Sequence, residues 1–387
     1  MKQKISVIGA GTMGTGIAQV SAIHGCIVNL IDSSSDALDH SKSNLQSILT
    51  RLVEKGKISE MDSENIFSTI KWSIDMEDIA DSELVIEAVI ENMEVKQKLF
   101  AEIELLVSNV SIIATNTSSL SVSGIASVCS NPSRVLGIHF FNPVPLMKLV
   151  EVIPTEETGA DLIEGVKSTL QYWQKTVVTA KDTPGFIVNR VARPFYGEAL
   201  RIYDEGLADF VTIDWSMKKF GGFRMGPFEL MDYIGNDVNY KATEAIYIGS
   251  NNNPRYKPSP TQKRMVDNGL LGRKSGIGYY DYSDAAVMSE PHSDEESGKQ
   301  IFNRILVMLI NEAIEAMNLS IASRDDIDTA LTTGVNYPKG LLKWSDEVGP
   351  DYIYKKLCKL KSDSGDDRYE PSPLLIKMAE EGTTFYA

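Results

Sequence analysis

Near its N-terminus the chain reads Lys4-Ile5-Ser6-Val7-Ile8-Gly9-Ala10-Gly11-Thr12-Met13-Gly14. An apolar run that ends in a glycine-rich turn and continues into a helical pattern is typical of the first strand, loop and helix of a dinucleotide-binding domain. The first glycine permits the tight turn, the second lets the backbone approach a pyrophosphate, and the third lets the helix pack on the strand. The phosphates would then lie at a helix N-terminus, which attracts anions. We therefore interpret the loop as a cofactor site rather than a plain turn, with contacts from Gly9, Gly11, Thr12, Met13 and Gly14.

The choice between the two nicotinamide cofactors depends on Asp32, which follows the next apolar run at 27–31. Its carboxylate can accept hydrogen bonds from both ribose hydroxyls of adenosine, and it would repel a 2′-phosphate. Serines follow it, where an NADP-binding chain would place an arginine. The sequence therefore favours NAD over NADP.

Short apolar runs alternate with helical stretches over residues 1–182. The predicted strands are 4–8, 27–31, 84–88, 111–114, 135–139, 149–153 and 176–179. The predicted helices are 14–24, 35–54, 94–106 and 160–174. This alternation implies parallel crossovers, and nearly continuous apolar strands indicate a sheet covered by helices on both faces. We expect an α/β Rossmann-type doubly wound sheet domain at 1–182.

Helical periodicity takes over after the turn signal Asp182-Thr183-Pro184-Gly185-Phe186. Residues 189–235 share ten positions with 303–349 in the same order, and 255–260 matches 368–373 after a one-residue slip. Shared turn residues in one order favour duplication over chance. The sequence therefore predicts a first helical copy at 183–282, a linker at 283–298 and a truncated second copy at 299–387. In this alignment the tail 272–280 has no counterpart in the second copy.

Composition excludes several classes of partner. Of 387 residues, 38 are Lys or Arg and 53 are Asp or Glu, a formal net charge of −15. That balance argues against binding to nucleic acid or to an anionic membrane surface. No apolar stretch is long enough to span a membrane, the N-terminal run is too short for a signal peptide, and three scattered cysteines match no metal or disulfide pattern. We expect a cytoplasmic protein without a metal.

His139 is the strongest candidate among the four histidines. It ends an apolar strand, and in an open α/β sheet ligands bind beyond the carboxyl ends of the strands. A histidine there can act as a base near neutral pH, although a satisfied structural histidine is the alternative. Glu151 lies in the apolar run 149–153, where an unpaired carboxylate would be costly. If the two runs pair, Glu151 reaches His139; the alternative is a salt bridge to Lys148 or to a helix elsewhere.

Two further polar positions follow structural boundaries. Asn116-Thr117-Ser118-Ser119 comes after the predicted strand 111–114, again at a carboxyl end. A helix N-cap for the segment from Ser121 is its alternative. Asn189 follows the turn between the domains, where a cap or a core amide is the alternative.

In this order and spacing the motifs resemble the 3-hydroxyacyl-CoA dehydrogenases of fatty-acid β-oxidation and 3-hydroxybutyryl-CoA metabolism. The motifs that carry the resemblance are 9–14, Asp32, 87–92 (Glu-Ala-Val-Ile-Glu-Asn), 116–119, 139–143 (His-Phe-Phe-Asn-Pro), 148–151 and 182–190. The family implies an oxidoreductase that uses NAD to convert (S)-3-hydroxyacyl-CoA reversibly into 3-oxoacyl-CoA. It also implies that the two all-α domains resemble the C-terminal domain of 6-phosphogluconate dehydrogenase.

The same resemblance assigns the catalytic roles. His139 would be the general base and Glu151 its partner in a His–Glu dyad. Ser118 would hydrogen-bond the substrate 3-oxygen, and Asn189 would help to position substrate and nicotinamide.

Binding residues also follow from the resemblance. Glu91 and Lys96 would line the cofactor side of the cleft, and Asn116 would contact the cofactor. Lys55 roughly matches a basic region that contacts the CoA phosphates in relatives, although the spacing of that helix varies.

The chain departs from the commonest family pattern by carrying two helical copies. Stand-alone members have one and dimerise through it. We therefore expect the second copy to take the place of the partner subunit, giving a monomer with an intramolecular pseudo-dimer. Two alternatives remain: a relative that acts on a free hydroxy acid, such as a gulonate-type dehydrogenase, and a non-catalytic scaffold subunit of an oxidation complex.

Overall fold

The computed structural model describes residues 3–286 and 289–386. Met1 and Lys2 of the first predicted domain, residues 287 and 288 of the predicted linker, and Ala387 at the end of the predicted second copy lie outside the described residues. The chain divides into two units, Met1–Asp182 and Thr183–Ala387.

The described part of the first unit contains one eight-stranded sheet and the helices that cover it. Its strands are β1 (Lys4–Ile8), β2 (Ile27–Ile31), β3 (Ile70–Ser73), β4 (Leu84–Glu87), β5 (Ile112–Thr115), β6 (Val135–Phe140), β7 (Leu149–Pro154) and β8 (Thr176–Thr179). Its α-helices are α1 (Thr12–Ile23), α2 (Ser35–Glu54), α3 (Glu60–Ser68), α4 (Met93–Leu106), α5 (Val122–Ala126) and α6 (Ala160–Tyr172).

The strand order is β3-β2-β1-β4-β5-β6-β7-β8, and every neighbouring pair is parallel except β6 and β7. Apolar side chains on the two faces of the sheet form two cores. One packs against α1, α2 and α6, and the other packs against α4 and α5. The predicted doubly wound α/β architecture is confirmed, and its reason is that strands buried on both faces need helices on both sides.

The sequence missed β3 and α3 of this unit, and it offered α5 only as the helix from Ser121 that the alternative for 116–119 would cap. β3 is an edge strand of four residues in which Lys71 is exposed and Trp72 is half-buried, so it contains no continuous apolar run. α5 has five residues, which is too short for helical periodicity to be read from the sequence.

The second unit is helical throughout its described residues, apart from loops and isolated bridges. Its α-helices are α7 (Val188–Val191), α8 (Arg193–Asp204), α9 (Phe210–Gly221), α10 (Pro227–Ile234), α11 (Asn236–Gly249), α12 (Pro260–Asp267), α13 (Glu295–Asn318), α14 (Arg324–Gly334), α15 (Leu341–Val348), α16 (Pro350–Ser364) and α17 (Pro373–Glu381). Because α13 begins at Glu295, the last four residues of the predicted linker, 295–298, are helical rather than loop.

Two buried carboxylates recur at equivalent places in the second unit. Asp214 in α9 accepts hydrogen bonds from two first-turn amides of α10, at 2.9 and 2.8 Å, and from the hydroxyl of Tyr280 at 2.8 Å. Asp328 in α14 accepts from two first-turn amides of α15, at 2.8 and 3.0 Å, and from the hydroxyl of Tyr386 at 3.0 Å. Each carboxylate thus holds the next helix and the tail of its own copy.

These contacts correct the prediction that the tail 272–280 has no counterpart in the second copy. The backbone amides of Tyr279 and Tyr280 donate to Asp232. In the same way, the backbone amides of Phe385 and Tyr386 donate to Asp346. The repeat was hidden because the second copy is seven residues shorter between its last matched segment and this tail. An alignment at a constant spacing between the two copies therefore does not bring Tyr386 onto Tyr280. The buried carboxylate keeps its partners although the loop is shorter.

A second set of buried groups joins α8 and its neighbours to α13. Glu198 accepts hydrogen bonds from Arg304 Nε at 2.6 Å and from the Tyr369 hydroxyl at 2.7 Å. Glu312 accepts from Arg190 Nε at 3.0 Å and from the Tyr256 hydroxyl. The residues around Glu198 and those around Glu312 are repeat equivalents: Glu198 corresponds to Glu312, Arg304 to Arg190 and Tyr369 to Tyr256. In a two-fold symmetric interface, a residue i of one copy contacts a residue j of the other copy, and residue j of the first copy contacts residue i of the second. The contacts of Glu198 and Glu312 follow this pattern.

Candidate active site

The carboxyl ends of β1, β2, β4, β5 and β6 lie at one edge of the sheet because these strands are parallel. The glycine loop follows β1 and Asp32 follows β2 at this edge. Glu87 ends β4, Asn116 follows β5, and His139 lies one residue before the end of β6. The topology therefore gathers polar residues that are far apart in the sequence.

The glycine loop has the shape that a dinucleotide pyrophosphate needs. Gly9 has a φ of +107°, and a Cβ there would lie 2.6 Å from the carbonyl oxygen of Ala88. A Cβ at Gly14 would lie 1.7 Å from the Gly9 oxygen, whereas one at Gly11 would meet no atom within 4 Å. Among the described residues no side chain caps the N-terminus of α1, and its first turn contains no acid. The open space at Gly11 and the uncapped N–H groups fit an anionic diphosphate.

Asp32 holds the glycine loop with its carboxylate. Its Oδ2 accepts from the amide of Ala10 at 2.8 Å, and its Oδ1 accepts from the amide of Ser34 at 2.9 Å. A carboxylate has about four acceptor positions, so two remain for ribose hydroxyls. The residues present therefore fit NAD.

Glu87, for which no site role was predicted, is fully buried at the end of β4. It accepts from Lys96 Nζ at 2.5 Å, from the Thr115 hydroxyl at 2.7 Å and from the Val89 amide at 2.7 Å. A carboxylate inside the apolar run 84–88 was the signal that could have found it, since the same reasoning singled out Glu151.

Lys96 is buried with 1% of its surface exposed. Besides Glu87, its Nζ lies 3.5 Å from Glu91 Oε2. The described polar contacts of its ammonium group are therefore with the carboxylates of Glu87 and Glu91.

Glu91 organises the serine-rich loop that follows β5. Its Oε1 accepts from the Thr117 hydroxyl at 2.7 Å and from the amides of Ser118 and Ser119 at 3.0 and 3.1 Å. The Ser118 hydroxyl lies 3.3 Å from the same oxygen. Burial acts to raise the pKa of Glu91, but the hydroxyl and amide donors and the charge of Lys96 outweigh it and lower that pKa. Glu91 is therefore a stable anion that fixes Ser118.

His139 and Glu151 face each other directly across the antiparallel pair of β6 and β7. His139 Nδ1 lies 2.7 Å from Glu151 Oε2, and both residues are buried, Glu151 completely. An ionised carboxylate only accepts hydrogen bonds, so this contact favours the tautomer in which Nδ1 carries the proton and Nε2 is left to act as a base. The expected proximity of the two residues is thus observed.

Asn116 joins β5 to the histidine strand. Its Oδ1 accepts from the amide of Phe140 at 2.9 Å, next to His139. The alternative role as a helix cap does not apply, because Ser121 is the N-cap of α5 and accepts from the Gly124 amide.

Two further predicted site residues belong to helices. Lys55 is the exposed C-cap residue of α2. Asn189 belongs to the second unit, in α7, where its carbonyl accepts from Arg193 Nε at 2.7 Å.

The chain can now be compared with known proteins. A sequence model described as "3-hydroxyacyl-CoA dehydrogenase, NAD binding domain" matches residues 4–183, and one described as "3-hydroxyacyl-CoA dehydrogenase, C-terminal domain" matches 185–282 and 301–385. The chain belongs to the 3-hydroxyacyl-CoA dehydrogenase family. It is an NAD-dependent oxidoreductase, as the resemblance implied, and its cofactor is NAD.

Individual family members show how far the similarity extends. A 3-hydroxyadipyl-CoA dehydrogenase of Escherichia coli is 34% identical, with 97% of each chain covered. The crystal structure of a 3-hydroxybutyryl-CoA dehydrogenase from E. coli K12 superposes with a TM-score of 0.91 at 34% identity, covering 98% of this chain and 99% of that one. A probable 3-hydroxybutyryl-CoA dehydrogenase of Deinococcus radiodurans is 40% identical over 72% of this chain and 100% of its own length.

No helix in the described ranges is long and apolar enough to span a membrane. Over the same residues, no group of three or more His, Cys, Asp or Glu side chains is placed to hold a metal ion.

Proposed function

We propose that the chain catalyses the reversible oxidation of (S)-3-hydroxyacyl-CoA thioesters to 3-oxoacyl-CoA, with His139 and Glu151 as the proton-transfer pair. The observation that carries the proposal is the 2.7 Å contact between the two side chains at the carboxyl edge of the sheet. Relatives named for 3-hydroxybutyryl-CoA and for a fatty acid oxidation complex support a role in 3-hydroxybutyryl-CoA metabolism or in fatty-acid β-oxidation.

In this mechanism His139 Nε2 accepts the proton of the 3-hydroxyl group as the substrate is oxidised. Glu151 fixes the tautomer and stabilises the imidazolium that forms, as the acid of a hydrolase triad does. In the reverse direction His139 returns the proton to the 3-oxygen.

Bound NAD⁺ supplies a hydride acceptor. The glycine loop and α1 hold the diphosphate through backbone N–H groups, and Asp32 accepts from the ribose hydroxyls. Glu91 fixes the neighbouring serine loop, and Asn116 ties that loop to the strand of His139.

The remaining roles concern the substrate. The Ser118 hydroxyl donates to the 3-oxygen, and Asn189 helps to orient substrate and nicotinamide. Lys55 takes part in binding the CoA phosphates, which an acidic chain must attract through local positive charge.

One assay tests this function, namely NADH consumption with acetoacetyl-CoA, with longer 3-oxoacyl-CoA thioesters and with free 3-oxo acids. We expect turnover with the thioesters and little with the free acids. Preference for a free acid would favour the gulonate-type alternative, and NADH binding without turnover would favour the scaffold.

We also propose that residues 299–387 replace the partner subunit of single-copy relatives and that the protein is a cytoplasmic monomer. The reciprocal contacts of Glu198 and Glu312 support this, because each carboxylate finds its arginine and tyrosine within the same chain. Light scattering coupled to size exclusion should give the mass of one chain. A dimer assembled through 183–282 would contradict the proposal.

A further inference from the structure

The loop 141–148 joins the two strands that carry His139 and Glu151. A two-residue hairpin turn sets the pairing of its own strands, whereas a loop of this length depends on contacts from outside. Part of the loop is internally bonded, since the amides of Leu146 and Met147 both donate to the carbonyl of Pro143 at 3.0 Å.

Lys175 supplies one of the outside contacts. It lies just before β8, and its Nζ donates to the carbonyls of Val144 at 2.6 Å and Met147 at 2.7 Å. The residue is 8% exposed, and burial lowers the pKa of its ammonium group to about 8. Within the described contacts Lys175 has no ion-pair partner, so the loop carbonyls are its described side-chain ligands. Hydrogen bonds from a charged donor are stronger and more directional than neutral ones.

Another outside contact comes from α1, the helix that follows the glycine loop. A Cβ at Gly16 in α1 would lie 2.9 Å from the Cβ of Val144, so the buried Val144 rests directly on the helix backbone. The loop therefore contacts both Lys175 and α1, the helix that would bind the diphosphate.

We propose that Lys175 is a positioning residue that fixes the loop 141–148 and thereby the hydrogen bond between His139 and Glu151. Without the ammonium group two loop carbonyls lose their described donor, and the loop can shift relative to α1. A shift changes the distance from His139 Nδ1 to Glu151, and with it the orientation of the basic Nε2. The consequence for turnover rests on the proposed function, whereas the consequence for the His139 bond does not.

The test uses the full chain with Lys175→Met, Lys175→Arg and the surface control Lys167→Met, whose lysine pairs with Glu164 on α6. The first measurement is the downfield NMR signal of the His139 Nδ1 proton. With four histidines in the chain, the signal is assigned by its absence in His139→Gln. We expect this signal to shift or broaden in both Lys175 variants and to stay unchanged in Lys167→Met.

The second measurement is steady-state kinetics together with NADH binding by fluorescence titration. We expect kcat to fall about tenfold or more in Lys175→Met while NADH affinity changes little, because misplacement of a reacting group by about 1 Å can cost about 10²-fold. Arginine keeps the charge, so Lys175→Arg should fold and should lose less activity than Lys175→Met. If Lys175→Met does not fold, the test of the positioning role rests on Lys175→Arg.

An unshifted His139 signal with wild-type kcat in either folded Lys175 variant would overturn the proposal. The two claims fail separately. If the wild type does not reduce 3-oxoacyl-CoA, the proposed function is wrong, while the NMR comparison still decides the role of Lys175.

Discussion

In the first unit two buried pairs lie at the carboxyl edge of the sheet, where Glu87 meets Lys96 and Glu151 meets His139. In the second unit two buried pairs, Glu198 with Arg304 and Glu312 with Arg190, lie between the two equivalent helical copies, and each is the repeat equivalent of the other. The first arrangement is not repeated and belongs with the glycine loop, whereas the second is symmetric. Under the proposed function the two pairs of the first unit serve the reaction, whereas the two pairs of the second unit join the copies. Changes in the first should alter turnover, and changes in the second should alter stability.

The largest effect should come from His139→Gln. Glutamine can keep a polar contact with Glu151 but cannot accept the hydroxyl proton. We expect kcat to fall about 10³-fold or more, in the upper range for loss of a general base, while NADH binding and folding stay near wild type. The exposed His40 of α2 provides the control, and His40→Gln should keep wild-type kcat.

Glu151→Gln should have the next largest effect on turnover. The amide can donate to Nδ1 and so favour the tautomer in which Nε2 is protonated and no longer a base. We expect kcat to fall by about 10²-fold, with the exposed Glu157→Gln as the control. Wild-type kinetics in Glu151→Gln would show that the 2.7 Å contact is only structural.

Glu312→Gln should affect stability instead. Arg190 is buried and loses its carboxylate partner, and breaking one side of a buried pair costs about 3–5 kcal/mol. Glu198→Gln should cost less, because Arg304 also pairs with Glu205 at 2.7 Å. Chemical denaturation measures both, with Glu296→Gln, at an exposed position of the same helix, as the control. The account predicts unchanged turnover in the folded fraction, and a fall in turnover without a fall in stability would contradict it.

The pH dependence of the second unit should follow Asp214. Burial raises the pKa of its carboxyl to about 7, although hydrogen bonds from two α10 amides and Tyr280 act to lower it. The folded state therefore holds a proton that the unfolded state has released, and stability decreases as pH rises through this pKa. Between about pH 5 and pH 8 this group should cost about 2–3 kcal/mol of unfolding free energy, and the fall should be smaller in Asp214→Asn. Equal slopes in both proteins would contradict the assignment.

The smallest effect should come from Tyr386→Phe, which removes the hydroxyl that donates to Asp328 at 3.0 Å. We expect a loss of about 1 kcal/mol, as for one buried hydrogen bond. The matched variant is Tyr280→Phe in the first copy. If Tyr386→Phe has no effect on unfolding while Tyr280→Phe does, the second tail does not hold its copy in the same way.

Most of the first unit could be predicted because its strands are apolar runs with clear ends. β3 could not, since an edge strand with Lys71 exposed has no need of a continuous apolar sequence. His139 and Glu151 were found by one physical argument, that a polar group in a buried strand needs a partner. The same argument applied to Glu87 would have found its partners, Lys96 and Thr115.

The second tail could not be predicted from a fixed spacing between repeats. Its shorter loop moves Tyr386 out of register with Tyr280, although both tyrosines donate to equivalent aspartates. What is kept is the partner of the buried carboxylate, because an unpaired one is costly. Lys175 was missed for a related reason, since a lysine that binds backbone carbonyls leaves no pattern in the side-chain sequence.

The central claim is that the chain reduces 3-oxoacyl-CoA through His139 and Glu151. The most direct measurement is the rate of NADH oxidation with acetoacetyl-CoA for the wild type, Glu151→Gln and His139→Gln, with bound NADH measured in the same samples. The account predicts a graded loss in that order with NADH binding retained in all three. Wild-type turnover by His139→Gln, or no turnover by the wild type, would contradict it.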